Sequence, residues 1–364
     1  MRVPLTALVL ALSPSLTGGD DAQKSGAPSP AALERGTLTS PATERAVDAG
    51  LAYLAELQTK TGDGSFPVSD ALPADQAPLG VSALCTLAFL AAGNSPGRGP
   101  YGAVVERGVD YLLLHTDLAA ESPTRGYITA QGDGLSRTHG HGYATLVLAE
   151  TYGMSKTEER LRLALVAAVK RIEKSQGAEG GWYYDPTPAA AHEGSVTICL
   201  VQALRAARDA GIQVSAEVIR RAEDYVRRLQ LDNGRFCYTL GDAGRTTIGL
   251  TAAGIATLNA AGRYDDKSVR AGIDAIWTAL GLRAEGNDPI EHPEYERLYV
   301  AQAFWQLSDT SHFQRWFEPE RARLLRTQER DGSWKGTRFS SAYATAVHCL
   351  VLSLPDTTLP IFQR

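Results

Sequence analysis

Two kinds of apolar segment alternate along the chain from about residue 41 onward. Segments of the first kind, such as 158–175 and 216–230, carry apolar residues at helical spacing on one face and Arg, Glu and Lys on the other. Segments of the second kind are apolar on almost every face: 81–92, 143–152, 196–210, 247–261, 298–307 and 343–354. The contrast between the two kinds predicts an outer ring of amphipathic helices around an inner ring of nearly all-apolar ones.

A repeat of about 50 to 60 residues underlies this alternation. In each clear copy the first helix ends in Gln, and a short polar turn then leads to Gly-x-Trp or Gly-x-Phe. Two further copies are degenerate, with Thr116 and Leu280 where Gln is expected. Six hairpins of two helices predict a closed, all-α (α/α)6 toroid. The repeat residues of the clear copies are Gln58 with Phe66, Gln176 with Trp182, Gln230 with Phe236, and Gln328 with Trp334.

The first 40 residues differ from the repeat region. A single positive charge at Arg2, an apolar stretch over 5–12 and small residues after it predict a signal peptide over residues 1–17. Residues 18–40 are rich in Ala, Gly, Ser and Pro without apolar periodicity, which predicts a flexible linker. We therefore expect a toroid domain over 41–364, exported to the periplasm or the cell exterior. No transmembrane segment is predicted in the mature chain.

Composition excludes several classes of protein and partner. The 364 residues are 44% hydrophobic and 21% charged, as in ordinary globular proteins. The net charge is −5, and no basic run is present that would suit a phosphate backbone, so no nucleic-acid partner is predicted. No Cys-x-x-Cys pair occurs among Cys85, Cys199, Cys237 and Cys349. They are interpreted as small buried side chains, with one disulfide bridge as the open alternative.

The repeat resembles the QW motif of squalene and oxidosqualene cyclases, squalene–hopene cyclase among them. It is also similar to the helical-hairpin repeat of protein prenyltransferase β subunits and of secreted bacterial proteins with prenyltransferase/squalene-oxidase repeats. The resemblance covers residues 41–364. It implies a terpenoid cyclase-like toroid, in which Gln caps backbone groups and the aromatic ring packs on the neighbouring helix. It also implies an isoprenoid or other apolar ligand in the central cavity.

The catalytic signatures of these families do not accompany the repeat. No Asp-x-Asp-Asp acid occurs, and the stretch in its register begins at Glu193. The diphosphate-binding Asp-Asp-x-x-Asp is also missing, since Asp265-Asp266 is followed by Lys267-Ser268-Val269. Ala344 stands where a prenyltransferase would place its zinc-binding His. The resemblance therefore implies a fold without fixing a mechanism.

Candidate chemistry lies in the loops before the inner helices, whose N-terminal ends converge on one mouth of a toroid. His139-Gly-His141 and His192-Glu193 precede neighbouring inner helices. His139, His141 and His192 could hold a single divalent metal ion, with zinc the first candidate. A neutral acid–base or hydrogen-bonding role and simple loop capping are the alternatives for these histidines. In a catalytic protein, Glu193 or His192 is expected to be the acid or base.

Further residues near these joints are candidates for contacts with a substrate. The guanidinium of Arg245 could hold an anionic group, with ordinary salt bridging as the alternative. Aromatic rings near the same joints could line an apolar cavity or stabilise a cation, or they could simply be part of the core. The candidate substrate-binding residues are Tyr143, Tyr184, Tyr238, Arg245, Tyr295 and Tyr343.

Three hypotheses about function follow from these patterns. The first is a terpenoid cyclase-like protein that binds or converts an isoprenoid, as a cyclase-like isomerase or lyase or as a prenyl-transferring enzyme. The second is a metal-dependent enzyme at the toroid mouth, for example one acting on glycans. The third is a non-catalytic binding or scaffold protein. The sequence leaves enzyme status, cofactor and protein partners open.

Overall fold

Twelve α-helices make up the parts of the chain that the structure, a computed structural model, describes: residues 38–71, 76–134, 137–154, 157–284 and 290–363. Between them, these residues contain only isolated β-bridges and no strand. The predicted signal peptide lies outside the described residues. The helices are α1 Pro41–Thr61, α2 Pro78–Ala91, α3 Gly102–Leu114, α4 Arg137–Thr151, α5 Glu158–Ser175, α6 Gly194–Asp209, α7 Ala216–Leu229, α8 Ile248–Ala260, α9 Lys267–Ala284, α10 Pro293–Trp305, α11 Ser311–Thr327 and α12 Ser341–Ser353.

The even-numbered helices form an inner ring. Each packs on the next even-numbered helix, and α12 packs back on α2, which closes the ring. The burial of the side chains follows this arrangement. All thirteen residues of the inner helix α8 are buried, whereas only four of the fourteen residues of the outer helix α7 are buried. The predicted (α/α)6 toroid is confirmed, and the hydrophobic core lies between the two rings and inside the inner one.

The repeat glutamines tie neighbouring hairpins together. Gln58 Nε2 donates to the carbonyl oxygens of Gly64 in its own turn and Val104 in the next outer helix, both at 3.0 Å. The glutamines of the other clear copies make the same pair of contacts. Gln328 in the last repeat donates to Ala46 in α1 at 2.8 Å, so the same bond joins the end of the toroid to its beginning.

The motif aromatics are fixed by a second repeated contact. Each buried ring is followed along the chain by an inner helix, and a hydroxyl of that helix accepts a hydrogen bond from the main-chain N–H of the aromatic residue. We call the hydroxyl residue the acceptor position of its helix. The pairs are Phe66 with Ser82 at 3.1 Å, Trp182 with Thr197 at 3.4 Å, Phe236 with Thr251 at 3.2 Å and Trp334 with Thr345 at 3.0 Å.

Local sequence sets where the inner helices begin. Pro78 and Pro293 stand at the starts of α2 and α10, where a missing N–H costs no helical hydrogen bond. The side chains of Glu193, Thr247 and Ser340 cap α6, α8 and α12 by accepting main-chain N–H groups of the first turn. All these starts lie at the same end of the ring.

The boundary of the predicted linker needs a correction. Residues 38–40 pack on the toroid instead of extending from it. Leu38 is buried, Thr39 Oγ1 donates to Asp356 Oδ1 at 3.1 Å, and Ser40 caps α1. Residues 18–37 lie outside the described residues.

All four cysteines are buried and free, so the alternative of one bridge is not realised. None of the described helices combines the length and the apolar character that crossing a membrane requires.

Candidate functional site

A cavity of about 180 Å³ lies where the six inner helices begin. Every inner helix contributes a residue from near its start, which in α2, α6, α8 and α12 lies two places before the acceptor position. The cavity is of the order of the ~150 Å³ cavities that accept one aromatic ring. It therefore has room for one ring or a short branched chain. The six residues are Gly80, His139, Ser195, Gly249, Tyr295 and Tyr343.

All six predicted substrate-binding residues line this cavity. Tyr143 forms part of its floor, where its hydroxyl lies 2.9 Å from that of Tyr299. The Cys199 Sγ is 3.3 Å from the same Tyr299 hydroxyl. Burial raises the pKa values of both tyrosines and of the thiol, so this cluster is neutral near pH 7. Their role in binding a substrate stays a prediction.

The rim is aromatic and carries one guanidinium group. Tyr184 and Tyr238 each follow a motif aromatic by two residues, and their hydroxyls hydrogen-bond to each other. Arg245 stacks on Tyr238, with its guanidinium carbon 3.9 Å from the centroid of that ring. The arrangement is a cation–π contact at an exposed position, and Arg245 lines the cavity.

The predicted acid, Glu193, lies behind the cavity wall. Its side chain is fully buried, and it caps α6 by accepting the Val196 N–H at 2.6 Å and the Ser195 N–H at 2.9 Å. Its main-chain N–H is held by the carbonyl of Trp182 at 3.0 Å. Burial raises the pKa of Glu193 to about 7, against the opposing effect of the bonds from Ser195 and Val196. Glu193 does not itself line the cavity.

Ser195 connects this carboxyl to the cavity. Its hydroxyl lies 2.5 Å from Glu193 Oε2 and 3.3 Å from Nε2 of His139, and both Ser195 and His139 line the cavity. Burial lowers the pKa of His139 to about 4, so its ring is neutral at physiological pH. Sequence reasoning overlooked Ser195, although its place two residues after an acid at the start of an inner helix is a usable signal.

The predicted roles of His192 are not supported by its position. Its Nδ1 lies 3.0 Å from the Tyr225 hydroxyl in the outer helix α7, and the two rings meet edge to face. His192 does not line the cavity. Although it is adjacent to Glu193 in the sequence, it points to the outer ring because Glu193 is extended where it caps α6. His192 is therefore misplaced for an acid or base acting on a ligand in the cavity.

His141 has a structural role that the sequence analysis did not identify. It occupies the acceptor position of α4, where its Nδ1 accepts the main-chain N–H of Ile128 at 3.2 Å. Burial lowers its pKa to about 3, consistent with a neutral acceptor.

The predicted metal site of His139, His141 and His192 is therefore wrong as a common ligand set, since the three rings have three different partners. Within the described ranges, no group of three or more His, Cys, Asp or Glu is placed so that it could hold a metal ion.

Three further polar residues close one side of the mouth. Glu291, His292 and Glu296 line the cavity where α10 begins. Glu296 forms an ion pair with Arg283, with Oε2 3.1 Å from one guanidinium nitrogen. This pairing compensates the charge of Glu296, and Glu291 and Arg245 bring charges of opposite sign to the lining of the cavity.

The helices define an α/α toroid with a cavity at its mouth. No protein-family model and no curated protein matches the sequence. Among solved structures, the chain resembles the type II terpene cyclase MstE from Scytonema in complex with geranylgeranyl dihydroxybenzoate. The TM-score is 0.56 at 17% identity, over 86% of this chain and 97% of that one.

Two other toroid enzymes are similar to a comparable degree. A GH76 α-mannanase from Bacteroides thetaiotaomicron aligns with a TM-score of 0.55 at 9% identity, over 88% of this chain and 97% of that one. Cellobiose 2-epimerase from Bacillus thermoamylovorans aligns with 0.55 at 12%, over 83% and 95%. These likenesses show the fold alone, and a fold of this kind does not determine function.

Proposed function

We propose that this protein binds a small apolar or aromatic molecule, or the apolar end of an isoprenoid, in the cavity at the toroid mouth. The observation that carries the proposal is the aromatic lining, to which α4, α10 and α12 contribute Tyr143, Tyr295 and Tyr343. Aromatic faces give large apolar contact area and favour flat or unsaturated ligands. The terpene cyclase MstE, whose complex contains geranylgeranyl dihydroxybenzoate, supports this ligand class by analogy.

The pairing of the hydroxyl groups favours this class over a sugar. Tyr143 bonds to Tyr299, and Tyr184 bonds to Tyr238, so these tyrosines present mainly their rings to the cavity. A sugar requires many polar partners, because a hydroxyl buried without a hydrogen bond costs about 1–3 kcal/mol. The cavity volume also admits one ring or short branch, so the rest of a longer ligand would extend past Arg245 at the rim.

The similarity to an α-mannanase and an epimerase makes a glycan ligand the second candidate. Its chemical basis would be the polar side of the mouth, where Glu291, His292 and Glu296 line the cavity. One titration series can test both candidates, since the two ligand classes differ in polarity.

The test is isothermal titration calorimetry with geraniol, geranylgeraniol, cellobiose and mannose. We expect the two isoprenoid alcohols to bind and the two sugars not to bind. Leu84→Trp should weaken isoprenoid binding at least tenfold, because Leu84 is buried at the cavity wall and an indole there fills the space. Leu163→Trp is the matched control, since Leu163 is 46% exposed on the outer helix α5.

Far-ultraviolet circular dichroism on both variants checks that the helices are intact. Binding of a sugar with no response to isoprenoids would overturn the proposal in favour of the glycan candidate. Equal binding of isoprenoids by a folded Leu84→Trp variant and the wild type would show that the ligand does not occupy this cavity.

A further inference from the structure

Three side chains form a hydrogen-bonded line from the protein interior to the cavity. The Ser195 hydroxyl stands between Glu193 Oε2 at 2.5 Å and His139 Nε2 at 3.3 Å. A hydroxyl carries one hydrogen, so Ser195 donates to one neighbour while it accepts from the other. The direction of the whole line can therefore reverse when a proton enters or leaves at either end.

The two ends of the line have different surroundings. Glu193 is fully buried and is absent from the cavity lining, whereas His139 lines the cavity. The second ring nitrogen of His139, Nδ1, is buried and has no hydrogen-bond partner among the described residues. The ring of His139 is only partly buried and lines the cavity, so a ligand there can contact it and meets the carboxyl only through Ser195.

We propose that Glu193, Ser195 and His139 form a proton relay in which His139 exchanges a proton with the bound ligand. The proposal rests on the proposed function for the presence of a ligand in this cavity. His139 is the catalytic residue of the relay, and Ser195 and Glu193 are positioning residues that act through it.

The transfer balances without a co-reactant. A bond from hydrogen to the ligand breaks, its electron pair stays on the ligand, and the proton binds Nδ1 of His139. The Nε2–H proton of His139 passes to Ser195 Oγ, and the original hydroxyl proton passes to Oε2 of Glu193. The ring ends as a neutral imidazole in its other tautomer, Ser195 is again a hydroxyl, and Glu193 is a neutral acid. The reverse sequence returns a proton to the ligand.

The relay makes the site a stronger base than an isolated His139 would be. Burial keeps the pKa of His139 at about 4, so an imidazolium cation is disfavoured there. Transferring the proton onward to Glu193, whose pKa is about 7, leaves the ring uncharged. A base of this strength suits removal and return of a proton next to a carbonyl group. The ligand class is then an apolar or aromatic carbonyl compound.

Charged and titratable groups on the neighbouring elements do not change the protonation behaviour assigned to Glu193 and His139. Arg245, in the loop before α8, lowers the pKa of Glu193, and His292 at the start of α10 lowers that of His139. The other groups that face Glu193 have raised pKa values, chiefly through burial, and are neutral near pH 7. They are Tyr184, Cys199, Tyr225, Tyr238 and Tyr295.

The test is a nitrogen NMR titration of the full chain labelled with [15N]histidine, without ligand, from about pH 6 to about pH 8. At low pH protonated Glu193 donates to the Ser195 hydroxyl, which donates to Nε2 of His139, so His139 should carry its own proton on Nδ1. At high pH it should carry the proton on Nε2. We expect the two nitrogen resonances of His139 to exchange character near pH 7, with no imidazolium signal in this range. The variant His139→Gln assigns the resonances.

Ser195→Ala separates the relay from the structural role of these residues. The main-chain N–H groups of Ser195 and Val196 still reach Glu193, so the cap of α6 is retained. In this variant, and in Glu193→Gln, His139 should keep one tautomer throughout. Ser340→Ala is the matched control, because it removes another hydroxyl that caps an inner helix, and it should titrate like the wild type.

A single His139 tautomer across the range in the wild type would overturn the relay, as would a tautomer change that survives unaltered in Ser195→Ala. Because the titration contains no ligand, these outcomes leave the ligand-binding proposal untouched. Conversely, a failure to bind isoprenoids in calorimetry would not change the interpretation of the His139 tautomer titration.

Discussion

Replacing Gly332 with Ala tests how the toroid closes. Gly332 lies in the turn of the last repeat and has φ of 88°, in the left-handed region. A Cβ at this position would lie 2.3 Å from the carbonyl oxygen of Ala49 in α1. The same turn is held on α1 by Gln328, which donates to Gly332 O at 2.9 Å and to Ala46 O at 2.8 Å.

The expected cost has two parts. Ala in the left-handed region is less favourable than Gly by about 1–2 kcal/mol. The overlap with Ala49 involves main-chain atoms on both sides, so the turn must move away from α1. This movement weakens the two hydrogen bonds of Gln328, each worth about 1 kcal/mol. We therefore expect Gly332→Ala to lower the free energy of unfolding by about 3–4 kcal/mol.

Gly62→Ala is the matched control for backbone conformation. Gly62 ends α1 with φ of 77°, and a Cβ there would have no neighbour within 4 Å. It should cost only the conformational part, about 1–2 kcal/mol. The difference between the two variants, about 2 kcal/mol, measures the contact that joins the last repeat to the first.

Urea unfolding monitored by circular dichroism at fixed pH gives both free energies by linear extrapolation. Both variants should expose the same surface area on unfolding, so the slopes of free energy against urea concentration should agree. Equal losses in the two variants would refute the reasoning, because the close approach to Ala49 would then carry no cost. A large loss in Gly62→Ala alone would refute it as well.

Three further predictions concern other parts of the chain. Burial raises the pKa of Glu150 to about 7 from an unfolded value near 4.5. The favourable contribution of protonated Glu150 to the free energy of unfolding is therefore complete below about pH 4.5 and is lost as pH rises through about 7. The urea midpoints of the wild type and of Glu150→Gln should converge at low pH, and the variant should be the more stable at high pH. The four buried, free cysteines should resist a water-soluble thiol reagent until denaturant is added, and immediate reaction of any one of them would contradict the structure. Residues 1–17 should direct export, so cell fractionation should find the full chain outside the cytoplasm and a chain lacking these residues inside it; cytoplasmic retention of both would contradict the signal peptide.

The fold could be predicted because the repeat records physical requirements that recur in four of the six hairpins. Gln58 and Gln328 are 270 residues apart in the chain, yet both bind the turn of their own repeat and the next outer helix. Their spacing from Phe66 and Trp334 is visible without coordinates. Burial of the inner helices follows equally from their apolar composition, since a helix that is apolar on all faces requires neighbours on all sides.

The candidate site was harder to predict because local spacing does not show which way a side chain points. His139 and His141 are two residues apart, which suggested two ligands for one ion. On a helix, residues two apart lie on different faces, and here one faces the cavity while the other holds Ile128. His192 and Glu193 differ in the same way, since the first meets the outer helix α7 and the second caps α6.

Comparison of the repeats position by position would have resolved these histidines. His141 occupies the place of Ser82, Thr197, Thr251 and Thr345, each of which accepts the N–H of a motif aromatic, and this assigns it to the framework. His139 occupies the place of Ser195, Tyr295 and Tyr343, all of which line the cavity. The first set keeps one chemical role, acceptance of a main-chain hydrogen bond, in five of the inner helices. The second set varies from glycine to tyrosine because no hairpin requires a particular residue there. The residues that distinguish this protein from other α/α toroids should therefore be sought in the second set, to which His139 and Ser195 belong.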